Sequence, residues 1–128
     1  MRFYTLDANH KEICDVLRQT GAEVVELADK GKGAPDILIN FRGAVGFLEI
    51  KTDSSASNFK RSQIKFASET RFNVSFCKTA DEARQFAQNP AQRGLTQKQK
   101  DKLAAFLIQN PKPKQFSANT IYKLLGMK

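Results

Sequence analysis

Asp36, Glu49 and Lys51 are the residues of this chain whose types and spacing suit catalysis. They bracket two apolar runs, ILINF and AVGFLEI, joined by Arg42-Gly43 within the stretch GAPDILINFRGAVGFLEIK. Side chains two apart on a strand share a face, so Glu49 and Lys51 point the same way. A two-residue loop at Arg42-Gly43 pairs Phe41 with Ala44 and, at the far end, Asp36 with Glu49. A four-residue loop over Phe41 to Ala44 keeps that pairing, whereas a three-residue loop with a bulge shifts it. Directly opposed side chains have Cβ atoms roughly 4.5–5.5 Å apart, and like charges there destabilise a sheet. A bound divalent cation is the simplest compensation.

Mg²⁺ takes oxygen ligands, uses one or two carboxylates and keeps room for water and phosphate oxygens. Asp36 and Glu49 meet that demand, the Ile50 carbonyl adds a further oxygen, and Mn²⁺ is the alternative ion. Such a metal lowers the pKa of a bound water and stabilises charge developing on phosphate. A lysine two residues beyond a ligand can orient or deprotonate the attacking water and neutralise the transition state. The set suits hydrolysis of a phosphodiester. Glu-x-Lys alone is a common surface pair, and Asp36 alone is a loop end. The combination of Pro35-Asp36, two apolar runs and the cross-strand register sets these residues apart.

The elements that must position them follow from periodicity and stop signals. Asp7 to Thr20 reads as a helix, capped by Asp7 or Asn9, with Ile13, Val16 and Leu17 as its apolar stripe and Gly21 as its stop. Ala22 to Ala28 is a strand, 29–33 a glycine-containing loop, and the hairpin follows. Residues 52–58 form a polar loop. Phe59 to Thr70 reads as a helix, Phe72 to Lys78 as a strand, and Thr79 caps a helix running to Gln88. The order α-β-β-β-α-β-α predicts an α/β core built on a mixed sheet flanked by helices. Asn89 to Gly94 reads as a linker. Thr96 then caps a helix carrying Leu95, Leu103, Phe106 and Leu107, which Pro111 and Pro113 break. Ser117 caps a last short helix with Ile121, Leu124 and Leu125 inward. Residues 1–92 are thus expected as the main domain and 93–128 as a small helical extension. Two such helices have no independent core and must pack on the main domain or on a partner chain.

Charge is unevenly spread. Residues 1–92 hold 13 Lys/Arg and 12 Asp/Glu, whereas 93–128 hold eight Lys/Arg against Asp101 alone. A basic tail on a nearly neutral domain suggests contact with a polyanion such as nucleic acid, although Lys-rich solvated helix faces look the same. Lys98, Lys100 and Lys102 are its candidate contacts. Lys30 and Lys32, flanking Gly31 beside the hairpin, are candidate phosphate contacts. Lys60 and Arg61 extend that surface or belong to a solvated helix face. No run approaches the roughly 18 apolar residues of a membrane span, and the N-terminus lacks a signal-peptide core. Cys14 and Cys77 have no metal-ligand spacing and read as small buried hydrophobes of a reducing compartment. His10, the sole histidine, reads as a solvated or half-buried helix residue rather than a ligand, since Mg²⁺ favours oxygen.

Pro35-Asp36 followed by Glu49-Ile50-Lys51 resembles the PD-(D/E)XK nuclease signature. The fuller pattern is similar to the virus-type replication-repair nuclease (VRR-NUC) branch found in phages and bacteria. That likeness rests on DANHKEICDVLRQTGAEVVEL, GKGAPDILI, FLEIKTD and Ser62-Gln63. It covers roughly residues 5–88 and leaves the basic extension aside. The resemblance implies a restriction-endonuclease-like core and a Mg²⁺-dependent endonuclease acting on DNA, branched or flapped, in replication or repair. It further implies 3′-hydroxyl and 5′-phosphate products, a homodimer, and a cytoplasmic setting in a bacterial or phage-infected cell. It makes Asp36 and Glu49 metal ligands and Lys51 the catalytic lysine, with Glu12 completing the acidic site and Gln63 near phosphate or water. From its own position Glu12 sits about 40° around the helix from Val16, at the edge of the stripe, and the alternative role is N3 partner of Asn9 in a capping arrangement. Gln63 could equally be a helix-surface residue. A catalytically inactive nucleic-acid-binding module of the same fold and an RNA-directed nuclease are the alternatives.

Overall fold

Apolar residues at helical and strand spacing fold this chain into a sheet with a helical layer on each face. The computed structural model describes residues 10–27, 33–51 and 57–127. Helix α1 (His10–Thr20) buries His10, Ile13, Cys14 and Leu17, a stripe one turn apart along one face. The chain turns back at Gly21 into strand β1 (Glu23–Glu26). Strands β2 (Ile37–Phe41) and β3 (Ala44–Ile50) form the expected hairpin. Arg42 and Gly43 both have positive φ, 54° and 91°, as a two-residue type I′ turn requires. Asn40 Oδ1 accepts the Gly43 amide at 2.8 Å and ties the turn down. The register runs from Phe41↔Ala44 to Ile37↔Leu48, without a bulge.

Strand β5 (Asn73–Cys77) lies parallel to β3, giving the order β1-β2-β3-β5 and a mixed sheet. Ile37, Ile39, Leu48, Ile50 and Cys77 face α1 and α3 (Ala80–Gln88), where Ala83, Phe86 and Ala87 close the core. Alternation turns Phe47, Val74 and Phe76 to the other face. There α2 (Arg61–Glu69), α5 (Gln97–Gln109) and α6 (Ala118–Leu124) cover them with Ile64, Ala67, Leu103, Ile121 and Tyr122. Thr79, Thr96 and Ser117 cap α3, α5 and α6 as their positions predict, each accepting an amide from the first turn. The fold is therefore α/β with a mixed sheet between helices. No described helix is long and apolar enough to cross a membrane.

Three short elements differ from expectation. Residues Asn58–Lys60 form β4 and pair antiparallel with β6 (Gln115–Ser117), so α2 begins at Arg61 rather than Phe59. Phe59 is needed in the core, where its ring lies 4.5 Å from that of Phe76, and a strand delivers it there. The stretch expected as a linker contains α4 (Pro90–Arg93), because Pro90 sits at a helix start and Asn89 accepts the Gln92 amide. Residues after 93 pack on the main sheet and share one core with α2 and β5.

Two cations expected to meet DNA are instead internal struts. Arg61 donates from its guanidinium to the carbonyls of Leu107 (2.8 Å), Asn110 (2.6 Å) and Pro113 (3.1 Å), closing the C-terminus of α5. Lys100 is 7% exposed, and its ammonium donates to the carbonyls of Thr70 (2.9 Å) and Phe72 (3.0 Å). Burial lowers the pKa of Lys100, and the two carbonyls hold the charge. Lys100→Met keeps the stem and strips both bonds, so it is expected to lower unfolding free energy by about 1–3 kcal/mol in denaturant titrations. Unchanged stability would contradict this placement.

Candidate functional site

Asp36 occupies the position just before β2, its carbonyl accepting the Leu27 amide at 2.7 Å. One step beyond the Ile37↔Leu48 pair, it stands opposite Glu49. Its Oδ2 accepts the Ile50 amide at 2.7 Å. The carbonyl and amide of one strand residue point to the same side, so the Ile50 carbonyl also turns toward β2. Burial is the largest influence on the Asp36 carboxyl and pushes its pKa up. The Ile50 amide, Lys51, His10 and a hydrogen bond with Glu49 pull the other way.

Glu49 is 2% exposed and faces α2. Its Oε2 accepts Gln63 Nε2 at 2.8 Å and lies 3.6 Å from Lys51 Nζ. Gln63 is fixed in turn, its Oε1 accepting the Lys60 amide at 2.8 Å. Lys51 is held by its backbone. Its amide donates to Cys77 (3.0 Å), and its carbonyl accepts the Tyr122 hydroxyl (3.0 Å). The Lys51 ammonium lies 5.6 Å from the centre of the Phe59 ring. Gly33 seats the loop that leads into Asp36. Its φ is +83°, and a Cβ there would fall 2.4 Å from the Ser62 carbonyl oxygen. The Gly33 backbone thus packs directly against the start of α2, where a side chain has no room.

The structure brings Asp36, Glu49, Ile50, Lys51 and Gln63 together at one end of the sheet. The donor set is two carboxylates and a carbonyl, all oxygen, which suits a hard divalent cation. Glu12 is not brought to it. Helix α1 packs on the opposite face of the sheet, and Glu12 lies about 150° around from the middle of its buried stripe, exposed to solvent. What α1 presents at this end is His10, 4% exposed, with Nε2 3.1 Å from Glu26 Oε1. Cys14 lies one turn on, its thiol pushed up to about 11 by burial first and by Glu26 next. Asp36 contributes to that shift as well, so α1 and the carboxylate pair share one electrostatic neighbourhood.

Of the expected cations, Lys30 and Lys32 lie outside the described residues. Lys60, Lys98 and Lys102 are exposed, whereas Arg61 and Lys100 are the struts described above. Lys60 is the one whose backbone adjoins Gln63. Sequence reasoning missed Tyr122, which reaches Lys51 across 71 positions with no local signal. It also missed the meeting of His10, Cys14 and Glu26, whose signal is the one-turn spacing of His10 and Cys14 in phase with Ile13 and Leu17. Compared with protein-family models, curated proteins and solved structures, the chain matches none.

The Asp36 shift has a thermodynamic consequence. A carboxyl whose folded pKa is raised favours the fold in its neutral form, and that contribution is lost as pH rises through the raised value. Asn at this position keeps an oxygen for the Ile50 amide and carries no charge. In a chelating buffer at neutral pH, Asp36→Asn is expected to melt above wild type. The gap should close as pH falls toward about 4, near the ordinary carboxyl range. A variant that melts lower at neutral pH, or a gap insensitive to pH, would contradict the assignment.

Proposed function

We propose that this chain is a metal-dependent endonuclease that hydrolyses DNA phosphodiester bonds on a PD-(D/E)XK, restriction-endonuclease-like core of the virus-type replication-repair branch. One observation carries the proposal: Asp36 and Glu49 lie one step past the last paired residues of the hairpin and share a hydrogen bond, with Lys51 and Gln63 on the same Glu49 oxygen. Asp36, Glu49 and the Ile50 carbonyl would hold Mg²⁺ or Mn²⁺. When bound, the ion supplies Lewis-acid stabilisation of phosphate charge and a more acidic water.

The chain's own residues do the positioning. Gln63 fixes the rotation of the Glu49 carboxylate, and the Lys60 amide fixes Gln63. Tyr122 and Cys77 hold the Lys51 backbone, so its ammonium has a defined origin from which to meet a phosphate oxygen or orient the attacking water. Water adds its oxygen to phosphorus, the bond to the 3′ oxygen breaks, and that oxygen takes the proton the water gives up. The products are a 3′-hydroxyl and a 5′-phosphate.

Substrate binding falls to the exposed cations. The β4–β6 ribbon places Lys60 beside Gln115, and the Lys114 carbonyl accepts the Arg61 amide at 2.8 Å. Lys60 adjoins the site through its amide bond to Gln63, and Lys114 neighbours it on the ribbon, whereas Lys98 and Lys102 lie on α5 toward the Thr70–Phe72 end of the sheet. Such contacts bind backbone phosphate without reading sequence, in keeping with a preference set by DNA shape, such as a junction or flap.

The test is incubation of the full chain with plasmid, four-way junction, single-stranded DNA and RNA, in Mg²⁺, Mn²⁺ or EDTA. Cleavage of DNA is expected with either metal and not in EDTA. Lys51→Ala and Glu49→Gln are each expected to slow it by about 10²–10³-fold while substrate binding persists. Tight metal-independent binding with no cleavage of any substrate would replace the enzyme with a binding module. Cleavage of RNA alone would move the activity to an RNA-directed nuclease.

A further inference from the structure

His10, Cys14 and Glu26 form a cluster that the nuclease chemistry does not use. His10 and Cys14 lie one turn apart on the inner face of α1, 4% and 2% exposed. Glu26, the last residue of β1, meets them from the sheet edge. One ligand atom from each, the imidazole nitrogen, the thiol sulfur and a carboxylate oxygen, lies within 4.8 Å of the other two. His10 Nε2 and Glu26 Oε1 are already 3.1 Å apart. In a tetrahedral zinc site with bonds of about 2.0–2.3 Å, ligand atoms sit roughly 3.3–3.7 Å from one another. His10 and Glu26 thus already stand at about the spacing of two ligands, and the Cys14 sulfur lies within 4.8 Å of a ligand atom of each.

The donors differ in kind from those at Asp36 and Glu49. Mixed nitrogen, sulfur and oxygen ligation suits a borderline-soft ion and is poor for Mg²⁺. Arg18 Nη2 lies 3.3 Å from Glu26 Oε2, which orients the carboxylate and leaves Oε1 turned to the imidazole. The Glu26 side chain is 47% exposed, so an ion has a way in and a fourth position open to water. We propose that His10, Cys14 and Glu26 form a second metal site, selective for Zn²⁺ and distinct from the oxygen-lined site across the sheet. The ion joins α1 to β1. Binding replaces the thiol proton of Cys14, which leaves to solvent, so one sulfur–metal bond forms for each proton released.

The site can be read with metal alone, whether or not the chain cleaves DNA. The full chain, freed of metal by chelation, is titrated with Co²⁺ as a coloured stand-in and then with Zn²⁺. One equivalent of Co²⁺ should give thiolate-to-metal charge-transfer absorption, and one equivalent of Zn²⁺ should abolish it. Cys14→Ser should lose that absorption, and Glu26→Gln, which leaves the core untouched, should weaken Zn²⁺ binding at least about tenfold. Cys77→Ser and Asp36→Asn should retain both. Absence of the band, its loss in Cys77→Ser instead, or Zn²⁺ affinity unchanged in both Cys14→Ser and Glu26→Gln would overturn the proposal.

Discussion

Two carboxylates held out of water on neighbouring strands are the constraint around which this molecule is arranged. Asp36 and Glu49 repel when both are ionised, and each loses hydration by being buried. Every contact near them offsets that cost. The Ile50 amide serves Asp36, the Gln63 amide and Lys51 ammonium serve Glu49, and the two carboxyls share a hydrogen bond. None of these groups is freely placed. Each is anchored by backbone pairing, by the start of α2 or by the last helix. A fold optimised for stability alone would put apolar residues here, so the arrangement reads as stability given up for a site.

The two faces of the sheet divide the work. On one, α1 and α3 close a mainly aliphatic core over Ile37, Ile39, Leu48 and Ile50. On the other, aromatic rings dominate, and Phe59 packs tilted against Phe76 with Tyr122 at its edge. That second face carries the catalytic candidates, and its cover comes largely from residues after 93. Basic residues on that face accordingly serve two purposes. Arg61 and Lys100 show how a cation is absorbed into packing, satisfying carbonyls at a helix end or before a strand. Lys98 and Lys102, on the same helix as Lys100, stay in water.

Local patterns carried much of the hairpin and its site. Alternation in ILINF and AVGFLEI opposes Asp36 and Glu49 once Arg42-Gly43 is a two-residue turn, because a one-residue slip moves every side chain to the other face. Caps at Thr79, Thr96 and Ser117 were equally legible, each being a short side chain with a single job. Glu12 was misplaced for a reason of phase. Counting Val16 into the stripe turns the helix toward Glu12, whereas the buried face runs through Cys14 to His10, a residue type of intermediate burial that does not declare a side. Lys100 was misread because a lysine is rarely buried, and its partners, the carbonyls of Thr70 and Phe72, are invisible in a sequence. The β4–β6 ribbon joins three residues to three across more than fifty positions, too short and too distant for periodicity to reveal.

The hydrogen bond from Tyr122 to the Lys51 carbonyl also orders events in time. A ribosome delivers Asp36, Glu49 and Lys51 early and Tyr122 more than seventy residues later. Domains fold as units during synthesis, and here the hairpin cannot be fully braced until α6 has emerged and docked. The backbone of Lys51 therefore gains its last brace only after residue 122 has been translated and α6 has docked.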